Sequence, residues 1–393
     1  MTVFIDPYLS DWLNLLLRWL HVIAGIVWIG TSFYFVALDS HLRPAKNEEG
    51  VAGEAWEVHG GGFYRVSKYQ VVPRELPEPL HWFKWEAYTT WLSGFALLVV
   101  LYYLDADAYL VDRSVADLDA WQAVAISLAL LVLSWFIYDG LCRVLGEREL
   151  LLALALLAFI AVSAYAVSEV FAARALPIQL GAMIGTMMVG NVFFVIIPGH
   201  WALVRAKQAG REPDPIHGIR GKQRSVHNNY LTLPVVLAML GPHFPFVYAR
   251  THGWLVLLAL MLLGAWVRHF FNLRHRGRTV WAIPATAAVA VVALAVAIRP
   301  DETSPAQAAA VPFAQVASIV EQRCAPCHSS HPTNPSFSTA PKGIVLDTPE
   351  QIRAQADAIE QQAVRTRAMP LGNVTGMTDE ERELLGRWIR SQR

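Results

Sequence analysis

The chain has 393 residues, 54% of them hydrophobic and only 16% charged, with a formal net charge of zero. No basic field is present to hold nucleic acid. Long uncharged apolar runs alternate with short charged loops, a pattern that excludes an ordinary soluble globule and points to a polytopic membrane protein in a lipid bilayer.

The first residues, Met1 to Asp11, carry Asp6 and Asp11 but no Lys or Arg, so they lack the basic n-region of a cleavable signal peptide. Apolar runs long enough to span a bilayer follow at Trp12–Leu38, Ala87–Leu104, Trp121–Tyr138, Leu150–Val170, Pro177–Ile197, Tyr230–Tyr248, Gly253–Phe271 and Thr279–Ile298. The sixth is interrupted by Pro234, Gly241, Pro242 and Pro245; such broken segments are tolerated where they line a cavity or pack inside protein.

Loop charge orients this bundle. The loop after the first run carries Arg43, Lys46, Arg65, Lys68, Arg74 and Lys84, whereas the next has five aspartates against Arg113 alone. The third has Arg143 and Arg148, the fifth is basic from Arg205 to Arg224, and the seventh holds Arg274, Arg276 and Arg278; the fourth and sixth have one arginine each. The odd loops are therefore expected in the cytoplasm and both termini in the periplasm, across a bacterial inner membrane.

Residues 299–312 read as a Pro/Ala/Gln/Ser linker between a membrane domain, 1–298, and a small domain, 313–393. A helical pattern from Phe313 runs into Cys324-Ala325-Pro326-Cys327-His328, the C-x-x-C-H motif of covalent c-type haem attachment. A zinc site needs two further ligands, and Cys142 and His331 do not complete a set; a thioredoxin-like dithiol would need a βαβ setting. Cys324 and Cys327 would carry the haem vinyl thioethers and His328 one axial position. The sixth ligand is expected at Met369, ahead of Met377 and His331. Thr378-Asp379-Glu380-Glu381 then reads as an N-cap for a last helix with Leu384, Leu385, Trp388 and Ile389 on one face. The expected architecture is all-α: an eight-span transmembrane helical bundle followed by a small periplasmic cytochrome c domain of class I type. Haem attachment outside the cytoplasm agrees with the orientation read from loop charge.

Ionisable groups inside spans are costly and mark function. Near the periplasmic side lie Arg18, His21, Glu169, His243 and His252. Near the cytoplasmic side lie Asp39, His81, Lys84, Glu86, Asp139, Arg143, His200, His227, Arg268 and His269, with Asn228, Asn229, Tyr230 and Asn272. Arg18 and His21, three apart on one helix face, suit function and structure equally, and Cys142 reads as an inert buried thiol. His81, His200 and His269 taken singly read best as interfacial structural residues. Their convergence with Glu86 and Asp139 on one end of five spans is what suggests a site.

Three stretches carry a resemblance: His59-Gly60-Gly61-Gly62-Phe63-Tyr64-Arg65, Trp82 to Trp91 (WFKWEAYTTW) and His227-Asn228-Asn229-Tyr230-Leu231-Thr232-Leu233-Pro234. They resemble signatures of the membrane-bound, cytochrome-c-linked urate hydroxylases, over nearly the whole chain; Met239–Pro245 is less close to that pattern. The resemblance implies oxidation of urate to 5-hydroxyisourate, with water as oxygen source and electrons passed through haem c to a respiratory-chain acceptor, a soluble cytochrome c or a terminal oxidase. A planar urate anion would want an arginine, carboxamides and an aromatic face, which Arg268, Asn228, Asn229 and Tyr230 provide. Glu86, His81, His227 and Asp139 are the candidates for a general base. Urate yields two electrons and one haem accepts one, and the hydrocarbon core is about 30 Å thick. A haem b on bis-His ligands, His21 with His243 or His252, or among His200 and His269, is one hypothesis for the gap. Its alternative is no haem b and a substrate site open to the periplasm. Two other functions stay open: a quinol or other dehydrogenase feeding a fused cytochrome, and a solute transporter with a cytochrome module.

Overall fold

The computed structural model describes residues 6–45, 50–299 and 311–392; most of the expected linker lies outside them. A helix occupies each of the eight apolar stretches. Asp6 caps α1 (Pro7–His41) by accepting from the Leu9 amide at 3.1 Å, with Pro7 at a position where a missing N–H costs nothing. Then come α2 (Trp85–Leu98), a short α3 (Ala106–Tyr109), α4 (Ala120–Leu145), α5 (Glu149–Val170), α6 (Ala175–Gly190), α7 (Ile197–Gln208), α8 (Ile216–Leu240), a short α9 (Pro245–Tyr248), α10 (Gly253–His275) and α11 (Ala282–Ala297). Among the described residues five helical segments are long and apolar enough to cross a bilayer: Tyr8–His41, Ala120–Leu145, Glu149–Ser168, Ala175–Gln208 and Gly253–His275. Ala282–Ala297 is a shorter apolar helix.

Bundle and surface agree with a hydrocarbon surround. Ile26, Val289 and Val296 are 65%, 70% and 69% exposed, on helices that water would penalise. Inside, Leu131, Tyr138, Leu152, Leu176, Leu180, Met183, Ile184, Met187 and Leu257 form the main core. Helices α4 and α6 approach closely because Gly190 has no side chain: a Cβ there would lie 2.4 Å from the Trp135 ring.

Two features depart from the sequence reading. The first is a β-hairpin, β1 (Val51–His59) paired antiparallel with β2 (Gly62–Tyr69), in an otherwise helical fold. Gly60 and Gly61 turn it, both at positive φ, where a Cβ is disfavoured. The second is the break near the sixth run. Helix α8 passes through Pro234 without ending and stops at Gly241, where a 3-10 turn to His243 leads into α9.

Helix α6 continues into α7 through a π-helical turn, Asn191–Ile196. Pro198 explains it: having no N–H, it cannot donate to the carbonyl four residues back, and the widened turn absorbs the mismatch. A similar turn, Val99–Tyr103, extends α2.

Residues 311–392 have a core of their own, with Val316, Val320, Leu346, Ile352, Met377, Leu385, Trp388 and Ile389 buried. It is built from α12 (Phe313–Arg323), α13 (Pro349–Ala354), α14 (Ala356–Ile359) and α15 (Asp379–Ser391). The expected N-cap of α15 is present as a full capping box between Thr378 and Glu381. Arg323 ties α12 to α15, donating to Glu381 at 3.0–3.1 Å and to the Thr375 carbonyl.

Candidate functional site

Helix α8 presents four successive polar residues, His227 to Tyr230, and their side chains enter two different networks. The first joins α8 to α4 and to the π-turn. Tyr138 Oη lies 2.9 Å from His227 Nδ1. Asn191 Nδ2 donates to Tyr138 Oη and to Asn228 Oδ1, both at 2.8 Å. Arg224 donates to Asn191 Oδ1 at 3.3 Å and to Asp139 Oδ1 at 2.6 Å, and stacks over the Tyr138 ring at 5.0 Å. Arg143 holds the second oxygen of Asp139 at 2.6 Å. Cys142 is buried as expected, with its Sγ 3.8 Å from His227 Nδ1.

The second network joins α8 to α10. Arg268 Nε donates to Asn229 Oδ1 at 2.6 Å, and Asn229 Nδ2 to Asn272 Oδ1 at 3.0 Å. The Arg268 guanidinium lies 3.5 Å from the centre of the Phe33 ring on α1. Tyr230 Oη meets His269 Nδ1 at 2.7 Å, and His269 stacks on Trp266. Arg268 is 4% exposed, and its Nη2 is buried with no hydrogen-bond partner. Among the described residues no carboxylate pairs with it. A buried guanidinium without a counter-charge is expensive. Asp39, at the end of α1, is engaged by Lys222 at 2.8 Å and by Lys68.

Of the other expected residues, Glu86 has a buried Oε2 without a partner at the start of α2. His81 is exposed and sits edge-on to Phe83, while Trp82 stacks on Trp201 at 4.3 Å and lies near the exposed His200. His21 is half-buried against α2, its Nδ1 2.9 Å from the Thr90 carbonyl and 3.3 Å from Ser93 Oγ. Its neighbour Arg18 is satisfied on its own helix by Asn14. His243 and His252 are exposed, and no hydrogen bond or ring contact joins either to His21 among the described residues. Arg224, Asn191, Tyr138 and Phe33 belong to the networks but not to the sequence reading. Arg224 passes for loop charge until the start of α8 is known. Asn191 is one of two carboxamides, with Gln179, in an otherwise apolar run, itself a signal of function.

In the C-terminal domain, His328 Nδ1 lies 3.0 Å from the Ile344 carbonyl, which can only accept. Nδ1 therefore donates, which leaves Nε2 as the ring nitrogen turned to other partners. Burial pushes the Cys324 thiol up to about 11 and raises that of Cys327, the opposite of the lowered values that dithiol oxidoreductases use. Met369 is half-buried and Met377 3% exposed, and both pack in the core that holds Cys324. Arg382 donates to the Met369 carbonyl at 2.7 Å, and Asn373 brackets the backbone of Met377. Two free thiols, an imidazole with a free Nε2 and a thioether from a following loop are the donor set that a c-type haem requires.

No curated protein and no solved structure matches the chain. The model of one family, urate oxidase N-terminal, matches residues 7–299, all the described helices from α1 to α11. The two polar networks and the unpartnered arginine lie wholly within that stretch, and the chain belongs to the urate oxidase N-terminal family.

Proposed function

We propose that the helical bundle oxidises urate to 5-hydroxyisourate and passes the electrons to a haem c held by the C-terminal domain. Water supplies the new oxygen: a C–O bond forms, and two protons and two electrons leave. The observation that carries this reading is the buried Arg268 with its open Nη2 over Phe33 and beside Asn229. Urate at neutral pH is a planar monoanion ringed by donors and acceptors, and guanidinium, carboxamide and aromatic face suit it.

Among the candidate bases, Asp139 is committed to Arg224 and Arg143, so its role is to position α8 against α4. His81 is exposed. Glu86 keeps a free buried oxygen, and His227 is set by Tyr138. Glu86 and His227 are therefore the groups we assign to proton removal. Cys324, Cys327, His328 and Met369 would hold the haem, which supplies a one-electron acceptor of raised potential. The domain would face the periplasm of a bacterial inner membrane and deliver to a soluble cytochrome c or a terminal oxidase.

Anaerobic addition of urate to the purified protein tests this. The reduced haem α-band should appear with two haems reduced per urate, and should not appear in Glu86→Gln. Haem that stays oxidised with urate but reduces with a quinol would overturn the reading. A pyridine haemochrome assay on the same sample counts haem types, and a purely c-type spectrum removes haem b from His21, His200, His243, His252 and His269.

A further inference from the structure

The polar networks sit at one end of the bundle and the C-terminal domain docks at the other, so electrons need a way across. Helix α2 carries aromatic rings at the spacing of that way. Trp91 stacks on Phe95 with ring centres 5.3 Å apart and an interplanar angle of 8°; Phe95 meets Tyr103 edge-on at 6.4 Å. Trp91 also donates to Thr186 at 3.1 Å and packs in one cluster with Tyr88 and Trp28. Trp91 to Tyr103 covers about 18 Å of helix at 1.5 Å per residue, more than half of a hydrocarbon core of about 30 Å.

A second ring pair begins at the neighbouring residue and is joined to the first through the shared backbone of Tyr102 and Tyr103. The ring of the adjacent Tyr102, 6% exposed, lies 5.9 Å from that of Tyr109 on α3, and the Arg174 guanidinium covers Tyr109 at 4.8 Å. Helix α3 is where the two domains meet. Gly372, at φ 53°, presses its backbone against α3: a Cβ there would lie 2.7–2.9 Å from the carbonyl oxygens of Asp107, Ala108 and Val111. Gly372 is three residues beyond Met369, and Ala368 packs against the main core of the bundle. On the other side Asp105, just before α3, lies against Ser336, nine residues beyond Cys327. The segment 105–111 thus touches both the attachment side and the sixth-ligand side of the C-x-x-C-H domain.

We propose that Trp91, Phe95, Tyr103, Tyr102 and Tyr109 form the electron path from the bundle to the haem c domain, with α3 as its exit. This rests on the urate-to-haem reading above and goes beyond it. Urate is the reductant and ferric haem the oxidant. Each electron leaving urate ends as one ferric iron made ferrous, and every ring on the way returns to its starting state. The path removes the need for a second haem to bridge the bilayer.

The test uses the purified full-length holoprotein. Tyr109→Leu and Phe95→Leu should slow urate-driven haem reduction by about tenfold or more, as a lost contact in a positioned pathway does. Haem midpoint potential, dithionite-reduced spectrum and urate affinity should stay unchanged. Tyr109→Phe, which keeps the ring, should recover much of the rate. Independently of turnover, a nitroxide carried by Tyr109→Cys should be relaxed strongly by ferric haem. The same label carried by Glu212→Cys, between α7 and α8, should not. Parental rates in both leucine variants, or equal relaxation at the two labels, would overturn the path. Absence of urate-driven reduction in the unaltered protein would instead overturn the urate reading, so the two failures are distinct.

Discussion

Arg268 combines two features that a structural arginine does not usually share: it is 4% exposed and it lacks an acidic partner among the described residues. Removing its charge should therefore harm substrate binding more than folding. Arg268→Gln is expected to raise KM for urate about ten- to hundredfold, the worth of a charge-assisted hydrogen bond of roughly 1.5–3 kcal/mol. Arg268→Lys keeps the charge but loses the planar fork and should fall between. An unchanged KM in the glutamine variant would remove Arg268 from the substrate seat. A second residue acts through pH. Asp347 accepts from the hydroxyl and the amide of Ser330, two residues past His328, and these hold its carboxyl below the usual carboxylate range. A depressed value in the fold means that its stabilising effect is present above an ordinary aspartate pKa and lost as pH falls through the lowered one. Asp347→Asn should thus weaken the C-terminal domain against denaturant at pH 7 and make little difference at pH 2. Equal losses at both would show that the carboxylate charge is irrelevant there.

Between elements, the joint of α4 and α8 depends on one ion pair. The side chains of Asp139 and Arg224 are 14% and 5% exposed. Removing one partner of such a pair leaves a buried charge uncompensated and costs about 3–5 kcal/mol, whereas replacing both by apolar groups can be neutral. Asp139→Asn should lower the unfolding temperature of the detergent-purified protein, and Asp139→Leu with Arg224→Leu should restore it. If the single variant melts like the parent, the pair is not what fastens α4 to α8. The elements also show what could be read in advance. Apolar run length sufficed for the long bundle helices, because in a chain so hydrophobic the backbone has few other ways to satisfy its hydrogen bonds, though not for α3, α7, α9 or the first half of α8. The β1–β2 hairpin was not legible that way. Its signal is local, alternating Trp56 and Val58 before Gly60-Gly61 and Phe63 after it, and it lies in a loop read for its charges and for a family signature, not for strands.

Over the whole molecule, the sequence separates a membrane domain from a C-x-x-C-H domain and names most of the polar residues that later converge. It does not say which of them meet. His227 and Asn228 face α4 and the π-turn, while Asn229 and Tyr230 face α10, and only coordinates reveal that split. Nor does linear order suggest that α3, four residues in an acidic loop, would receive Gly372 from the far end of the chain. Residues far apart in sequence meet through packing, which periodicity does not encode.

The four successive polar residues of α8 have a mechanical consequence. At 3.6 residues per turn each step turns about 100°, so His227 to Tyr230 point around most of the helix circumference and are fastened on nearly every side. Such a helix behaves as an axle locked in its bearings: it can neither roll nor slide without unseating both networks together. Under the proposed function, occupancy at Arg268 would be registered at His227 through one stiff shaft, coupling substrate arrival to proton removal.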